Sequence, residues 1–201
     1  MGLEELSLRL AAFLQRSRVN GPGVRAVVWV QGCARHCLGC CNPGFLDPAS
    51  GEDVTVAELL SRIASAEGLG GVTLSGGEPF DQAAPLAEFC RQVRREGLTV
   101  VCFSGYELPE LQQGLMPGHA ALLNEIDLLV AGPYNVMRPC STPLRASGNQ
   151  SLHFLTDRLR PQDLQGLPRV EVTVRGGVVE FSGFEPGLAL ALRSRGGFVP
   201  Q

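Results

Sequence analysis

The sequence contains no lysine, and its combined count of 17 lysine and arginine residues consists entirely of arginine. This absence excludes enzymes that form a Schiff base on lysine, Walker A nucleotide-binding loops and a lysine general base. Arginine cannot replace lysine in these roles, because its guanidinium stays protonated. The 20 acidic residues give a formal net charge of −3. Nucleic acid is therefore not the expected partner, since such binding usually needs a basic surface.

Long apolar runs are missing as well. No stretch of the chain approaches the roughly 20 apolar residues that are needed to span a bilayer. The first five residues, MGLEE, are acidic where a signal peptide would be basic. We therefore expect a cytoplasmic protein without a membrane partner. A composition of 44% hydrophobic and 18% charged residues over 201 positions is typical of a globular chain with one main domain.

Strand-like and helix-like segments alternate through most of the chain. Short apolar runs predict strands over 8–14, 24–30, 71–75, 98–103 and 126–130, and helical patterns cover 55–68, 81–96 and 107–113. A loop rich in Gly, Pro and Asp is expected over 42–53. Such alternation predicts an α/β fold with parallel strands and crossover helices. Functional residues should then gather at the carboxyl ends of the strands.

The pattern changes beyond about residue 165. Residues 169–174 and 178–182 predict a β-hairpin with a turn at Arg175-Gly176-Gly177, and 188–192 predict a short helix. We therefore divide the chain into a core, 1–165, and a C-terminal extension of hairpin and helix, 166–201.

Four of the seven cysteines lie close together: Cys33, Cys37, Cys40 and Cys41. In a reducing compartment such clustering indicates metal or redox ligands rather than disulfides. The spacing CxxxCxxC offers three thiolates, whereas a cubane cluster has four irons. Either a fourth protein ligand closes the site, or one iron stays open to an exogenous ligand. The alternative is a structural zinc site with His36 or Cys41 as its fourth ligand.

A second motif, Gly76-Gly77-Glu78-Pro79, follows the strand predicted over 71–75. Glycines allow a ligand to approach the backbone closely, and Glu78 supplies one carboxylate. On its own this sequence is most simply a turn. Its position at a strand end, together with the cysteine cluster, favours a ligand site.

These motifs resemble those of the radical S-adenosylmethionine (SAM) superfamily, and most of all the small activating enzymes of anaerobic ribonucleotide reductase. The matching segments keep the family's order from residue 20 to about residue 155: NGPGVR at 20–25, QGC at 31–33, SGGEP at 75–79, SGYEL at 104–108, LVAGPY at 129–134 and LRASGNQ at 144–150. The resemblance implies a partial (βα) barrel. The C-terminal hairpin has no counterpart in the minimal activating enzymes.

The resemblance also implies the cofactors and the residues that bind them. Cys33, Cys37 and Cys40 would hold three irons of a [4Fe-4S] cluster, and SAM would chelate the fourth iron through its amino and carboxylate groups. Glu78 and the glycines before it would contact that amino group. The implied SAM-binding residues are Leu38, Gly39, Ser75, Gly76, Gly77, Glu78, Ser104 and Asn149.

The activity implied by the resemblance is reductive cleavage of SAM to a 5′-deoxyadenosyl radical that abstracts hydrogen. The leading hypothesis is an activating enzyme that installs a glycyl radical on a partner enzyme, served by a flavodoxin- or ferredoxin-like electron donor. Ala131 and Pro133 stand where relatives commonly carry Asp and Lys. This departure and the hairpin support a first alternative, a radical SAM enzyme that modifies a small molecule or peptide. A non-catalytic zinc or iron–sulfur binding module is the second alternative.

The three remaining cysteines are scattered. Cys90 lies in a predicted helix and Cys102 in a predicted strand, and both are expected to pack as small hydrophobic residues. Cys140, in a Pro-rich loop, is a candidate hydrogen-atom donor. No other residue is assigned a catalytic role, since the cluster and SAM would carry the chemistry.

Overall fold

A computed structural model describes residues 2–114, 116–175 and 178–183. Seven strands form the main sheet: β1 (Ser7–Ser17), β2 (Arg25–Val30), β3 (Glu52–Thr55), β4 (Gly71–Gly76), β5 (Thr99–Ser104), β6 (Leu128–Ala131) and β7 (Ser151–Phe154). The helices are α1 (Val56–Ala64), α2 (Ala83–Arg95), α3 (Leu108–Gln112) and α4 (His119–Leu123). None of these described helices is long and apolar enough to cross a membrane.

The sheet has the strand order β3-β1-β2-β4-β5-β6-β7. Its four central strands, β2, β4, β5 and β6, are parallel, whereas β1, β3 and β7 pair antiparallel with their neighbours. The predicted α/β fold is therefore confirmed, and the predicted parallel pairing holds for the four central strands, whereas the whole sheet is mixed. Because the central strands share one direction, their carboxyl ends meet at one edge of the sheet, which is called the carboxyl edge below.

Helix α1 shows how local sequence starts an element. The Thr55 hydroxyl accepts a hydrogen bond from the Glu58 amide (3.2 Å), and the Glu58 carboxylate accepts one from the Thr55 amide (2.8 Å). This capping box, which the sequence predicts, satisfies backbone donors at the start of the helix. The buried side chains of the helix are Val56, Leu59 and Ile63. They join the main apolar core, in which β2, β4 and β5 are packed with α1 and α2.

The opposite edge of the sheet, where the parallel strands begin, holds two buried charged side chains. Arg25, at the start of β2, donates to the carbonyl oxygens of Val72 (2.6 Å) and Thr99 (2.8 Å) and so ties three strands together. Asp127, directly before β6, pairs with Arg94 (2.9 Å) and Arg158 (3.3 Å). Both buried groups therefore find polar partners within the chain, as buried charges require.

The structure corrects the loop predicted over 42–53, because Glu52 and Asp53 belong to strand β3. This strand pairs antiparallel with β1 and is the outermost strand on that side of the sheet. Both acidic side chains are exposed, a common feature of edge strands that discourages pairing with other chains. Helix α4 and strand β7 are further elements that the sequence patterns do not predict.

The C-terminal part contains β8 (Val170–Arg175) and β9 (Val178–Gly183), which pair antiparallel in a separate two-stranded sheet. The amide of Asn20 donates to the Ser182 hydroxyl (2.7 Å), and the backbone amide of Arg18 donates to the Glu171 carboxylate (3.1 Å). Residues 176–177 of the predicted turn and the predicted helix over 188–192 lie outside the described residues. The division of the chain at residue 165 stays a prediction.

Candidate functional site

The cysteine loop begins where β2 ends, and it lies directly beside the Gly-Gly-Glu turn that follows β4. The amide of Gly32 donates to the Phe45 carbonyl (2.8 Å), while the Gly32 carbonyl accepts from the Glu78 amide (2.9 Å). A Cβ atom at Gly77 would lie 2.0 Å from the Gly32 carbonyl oxygen. Only glycine at position 77 therefore permits this backbone contact, which joins the two motifs at the carboxyl edge.

The return of the loop to β3 is fixed by side-chain amides. The Gln31 amide donates to the carbonyls of Asp47 (2.7 Å) and Gly44 (3.2 Å), and the Gln82 amide donates to the Gln31 carbonyl (2.8 Å). The Asn42 amide donates to the Gly76 carbonyl (3.3 Å). Both ends of the cysteine loop are thus held against the sheet.

A cleft opens at the carboxyl edge between these loops. It has about 700 Å³ of space between its walls, open mouth included. Eight of the residues that the sequence analysis assigned to the cluster or to SAM line it: Cys33, Cys37, Cys40, Ser75, Gly76, Gly77, Glu78 and Ser104. The two strongest sequence motifs therefore meet in one cleft.

Glu78 is the buried acid of the cleft. Its carboxylate accepts hydrogen bonds from the Phe80 amide (3.0 Å), the Ser104 hydroxyl (2.9 Å) and the Gly105 amide (2.7 Å). Burial raises the pKa of the Glu78 carboxyl to about 7, although these three donors act in the opposite direction. Within the part of the chain that the structure describes, no arginine or histidine forms an ion pair with Glu78. The site thus holds a carboxylate whose charge the described chain leaves unbalanced.

Three thiols on the cleft wall match the number of protein ligands that a [4Fe-4S] cluster with one open iron needs. Cys33, Cys37 and Cys40 are half-buried and form no disulfide, and the Asn42 backbone amide donates to the Cys40 sulfur (3.4 Å). Burial raises the pKa of the Cys33 thiol to about 11, so metal binding there must displace a proton. Among the described residues, no group of three or more His, Cys, Asp or Glu side chains is arranged to hold a metal ion. A cubane takes one thiolate per iron and therefore needs its ligands spread around it.

Four other predicted residues are not part of the cleft lining. The Leu38 side chain is 85% exposed, and Gly39 packs against Val136. The Asn149 amide donates to the Pro133 carbonyl (2.6 Å). Cys140 lies in the loop after β6, where a hydrogen bond with the Thr142 side chain lowers the pKa of its thiol.

The cleft also contains residues that the sequence motifs did not assign to the cluster or to SAM, and one of them, Cys41, is the alternative fourth ligand of a zinc site. Arg35 lies between the first two cysteines, and Cys41 directly follows the third. The other lining residues without an assigned role are Asn42, Leu46, Phe103, Gly105, Gly132, Tyr134, Ala146 and Gln150. The position of Arg35 within the motif signals proximity to the site. The remaining side chains come together only through the pairing of β2, β4, β5 and β6.

Comparison with known proteins identifies the same region. The family described as "4Fe-4S single cluster domain" matches residues 19–153, which include every residue of the cleft. The anaerobic ribonucleoside-triphosphate reductase-activating protein of Vibrio cholerae is 32% identical over 151 residues, covering 69% of this chain and 92% of the relative. Its counterpart from Enterobacteria phage T4 is 29% identical over 153 residues, covering 72% of this chain and 93% of the relative.

A further relative shares only part of its length. The pyruvate formate-lyase 1-activating enzyme of Escherichia coli K12 is 36% identical over 96 residues, which cover 45% of this chain and 39% of that enzyme. The match thus spans about two fifths of that relative.

Proposed function

The chain belongs to the 4Fe-4S single cluster domain family of the radical SAM superfamily, and on this premise we propose that it activates a glycyl radical enzyme. Its cofactors are a [4Fe-4S] cluster and SAM. One observation carries the proposal. The alignment at 32% identity covers 92% of an anaerobic ribonucleoside-triphosphate reductase-activating protein, and the family match includes the whole cleft.

Cys33, Cys37 and Cys40 are the proposed cluster ligands. Their shared position on the cleft wall supports this assignment, as does the hydrogen bond from the Asn42 amide to the Cys40 sulfur. Such a bond stabilises a thiolate and tunes a cluster that the thiolate holds. Cys41 also lines the cleft, so it is the residue that competes with Cys40 for the role of third ligand.

Gly76, Gly77 and Glu78 are proposed to bind the methionyl part of SAM. Both glycines line the cleft beside Glu78, and Glu78 offers a carboxylate to an amino group, an interaction strengthened by charge. Ser104 holds Glu78 in place through its hydroxyl. When bound, the cluster and SAM supply one-electron cleavage of the sulfonium, which gives methionine and a 5′-deoxyadenosyl radical for hydrogen abstraction.

We further propose that a glycine Cα of a partner enzyme is the source of the hydrogen atom, so that the products would be 5′-deoxyadenosine and a glycyl radical on the partner. The names of the relatives support this class of partner. A flavodoxin- or ferredoxin-like protein is the proposed electron donor. None of the seven cysteines, all of which lie within the described residues, forms a disulfide, and this is the state expected in the reducing cytoplasm, the proposed compartment.

A second candidate is a radical SAM enzyme that acts on a small molecule or a peptide. It is favoured by Ala131 and Pro133, which lack the side-chain charges expected from the resemblance. In the structure Ala131 is buried in β6, and the Pro133 carbonyl is bound by Asn149.

The test uses the cluster-loaded chain under anaerobic conditions with dithionite and SAM. The partner is an anaerobic ribonucleoside-triphosphate reductase with deuterium at its glycine Cα atoms. We expect a glycyl radical signal on the partner by electron paramagnetic resonance (EPR), together with deuterium in the 5′-deoxyadenosine. SAM cleavage without radical formation, on this partner and on pyruvate formate-lyase, would instead favour the second candidate.

A matched pair of variants tests the ligands. Cys40→Ala should abolish the SAM-competent cluster, whereas Cys41→Ala should retain it, because the two thiols are neighbours and only one is a proposed ligand. The opposite result would exchange their roles. Failure of the unmodified chain to take up any cluster from iron and sulfide would favour a zinc-binding module.

A further inference from the structure

The segment between the first two cysteines is tied to a carboxylate outside the cysteine loop. The backbone amide of Ala34 donates to one oxygen of Asp81 (2.9 Å), and the hydroxyl of Tyr106 donates to the other oxygen (3.1 Å). Asp81 lies in the turn after the Gly-Gly-Glu motif, and Tyr106 lies in the loop after β5. Asp81 therefore joins three separate loops of the carboxyl edge.

The side chain of Arg35 makes a second connection between the same loops. Its guanidinium carbon lies 4.5 Å from the centroid of the Tyr106 ring, a cation–π contact, and its Nη1 lies 3.4 Å from the Glu110 carboxylate. Tyr106 is supported in turn by the buried ring of His119 at 5.6 Å. The His119 ring nitrogen lies within hydrogen-bond distance of the Phe80 carbonyl oxygen (3.1 Å).

The next residue along the loop explains why support is needed there. His36 is exposed and has a φ of +45°, the left-handed region that residues other than glycine seldom adopt. A strained backbone of this kind persists only where its surroundings hold it. The contacts of Ala34 and Arg35 lie immediately before His36, so they are placed to hold the turn that separates Cys33 from Cys37.

We propose that Tyr106 and Asp81 are positioning residues that clamp the segment between Cys33 and Cys37 before any cluster is bound. They act through Ala34 and Arg35 and make no proposed contact with iron. The sequence SGYE after β5 thus has two roles, because Ser104 holds the proposed SAM-binding carboxylate while Tyr106 holds the cysteine loop. The inference rests on the proposed ligation by the three cysteines, but its first consequence concerns the metal-free chain.

The first experiment measures hydrogen exchange of the full chain without metal, in the peptides that cover residues 33–41. Tyr106→Leu and Asp81→Ala should accelerate exchange there about two- to tenfold, the range expected for loss of a cation–π contact or a hydrogen bond. Tyr106→Phe keeps the ring and loses only the hydroxyl, so it should give a smaller increase. Arg62→Ala, which removes an ion pair between α1 and Glu52 of β3, is the matched control and should change nothing in residues 33–41.

The second experiment follows the loss of iron to a chelator from the cluster-loaded chain. Arg35→Ala and Tyr106→Leu should each speed this loss about two- to tenfold. The double variant should show less than the product of the two effects, because both variants remove the same cation–π contact. Thermal unfolding of the metal-free variants should match that of the unmodified chain within a few degrees. A purely structural role would lower the unfolding temperature in parallel with the cluster loss.

The outcomes separate the clamp from the ligand assignment. Unchanged exchange in Tyr106→Leu and Asp81→Ala would overturn the clamp, whatever the cluster does. Effects of Arg35→Ala and Tyr106→Leu that multiply in the double variant would also overturn it, because Arg35 would then act independently, as a direct ligand contact. Faster hydrogen exchange of residues 33–41 in these variants, combined with no cluster uptake by the unmodified chain, would support the clamp and refute the proposed ligation by the three cysteines.

Discussion

Two carboxylates are buried at opposite ends of the parallel strands of the main sheet, and they differ in how their charge is balanced. Asp127, at the edge where the strands begin, accepts hydrogen bonds from Arg94, Arg158, Thr156 and the Val100 amide. Glu78, at the carboxyl edge, accepts three hydrogen bonds from neutral donors. In the described chain, only the first has cationic partners.

This difference distinguishes a carboxylate that stabilises the fold from one that is placed to bind a ligand. At Asp127 the chain supplies two arginines, and the buried charge is complete without a ligand. At Glu78 the chain supplies only neutral dipoles, and burial raises the pKa of the carboxyl to about 7. A perturbed acid in a cleft is typical of a functional site. The charge missing at Glu78 is what the proposed binding of SAM would provide, since SAM carries both a sulfonium and an amino group.

The largest expected effect is on the stability of the fold, from a change at the edge where the parallel strands begin. Asp127→Ala removes the acceptor of four hydrogen bonds, two of them from arginines, and leaves the buried Val100 amide without this partner. The free energy of unfolding should therefore fall by about 3–5 kcal/mol. Denaturation of the metal-free chain by urea measures this loss. A loss below about 1 kcal/mol would show that the two arginines do not depend on Asp127 and would remove the contrast with Glu78.

The second prediction concerns pH. The unfolded Glu78 carboxyl ionises near its usual pKa of 4.5, whereas the folded one keeps its proton until about pH 7. The folded state therefore binds more protons in this window, and its stability should fall as pH rises from 4.5 to 7, by up to about 3 kcal/mol. Glu78→Gln lacks this titration. Urea denaturation of both chains across that range measures the difference, and a difference independent of pH would contradict the account.

The third prediction concerns the affinity for SAM at the carboxyl edge. Glu78→Gln keeps the shape of the side chain but removes its charge, so the loaded chain should bind SAM about 10- to 100-fold more weakly. Titration of the reduced cluster with SAM, followed by EPR, measures the affinity. Asp127→Asn is the matched control and should leave the SAM affinity unchanged in protein that stays folded.

The smallest effect is expected for Ser104→Ala. The variant removes one donor to Glu78 and one acceptor for the Tyr106 amide, so stability should fall by about 1 kcal/mol. The pKa of Glu78 should rise further, because a hydrogen bond to the charged form is lost. Carboxyl titration by nuclear magnetic resonance measures this shift. A lower pKa in the variant would show that Ser104 does not stabilise the carboxylate.

The sequence predicted those features that depend on local signals. The capping box at Thr55, the parallel strands and the position of the cysteine and Gly-Gly-Glu motifs at strand ends all follow from neighbouring residues. Strand β3 was missed because Glu52 and Asp53 have little preference for strands and gain their structure from pairing with β1. Helix α4 has five residues, too few to show a helical period.

The contacts between loops could not be predicted for a related reason. Asp81, Arg35 and Tyr106 lie on three segments that are far apart in the sequence and meet only after β2, β4 and β5 have paired. Likewise, the burial of Glu78 is a property of the assembled edge. Sequence motifs located the site, but the distinction between its contacting and its supporting residues required the fold.

The most direct test of the central claim is the yield of 5′-deoxyadenosine from SAM under dithionite, compared between the loaded chain and Glu78→Gln at equal iron content and at a SAM concentration below saturation. The account predicts product from the unmodified chain and about 10- to 100-fold less from the variant, in line with its weaker binding. Equal yields from the two chains, or no product from the unmodified chain, would contradict it.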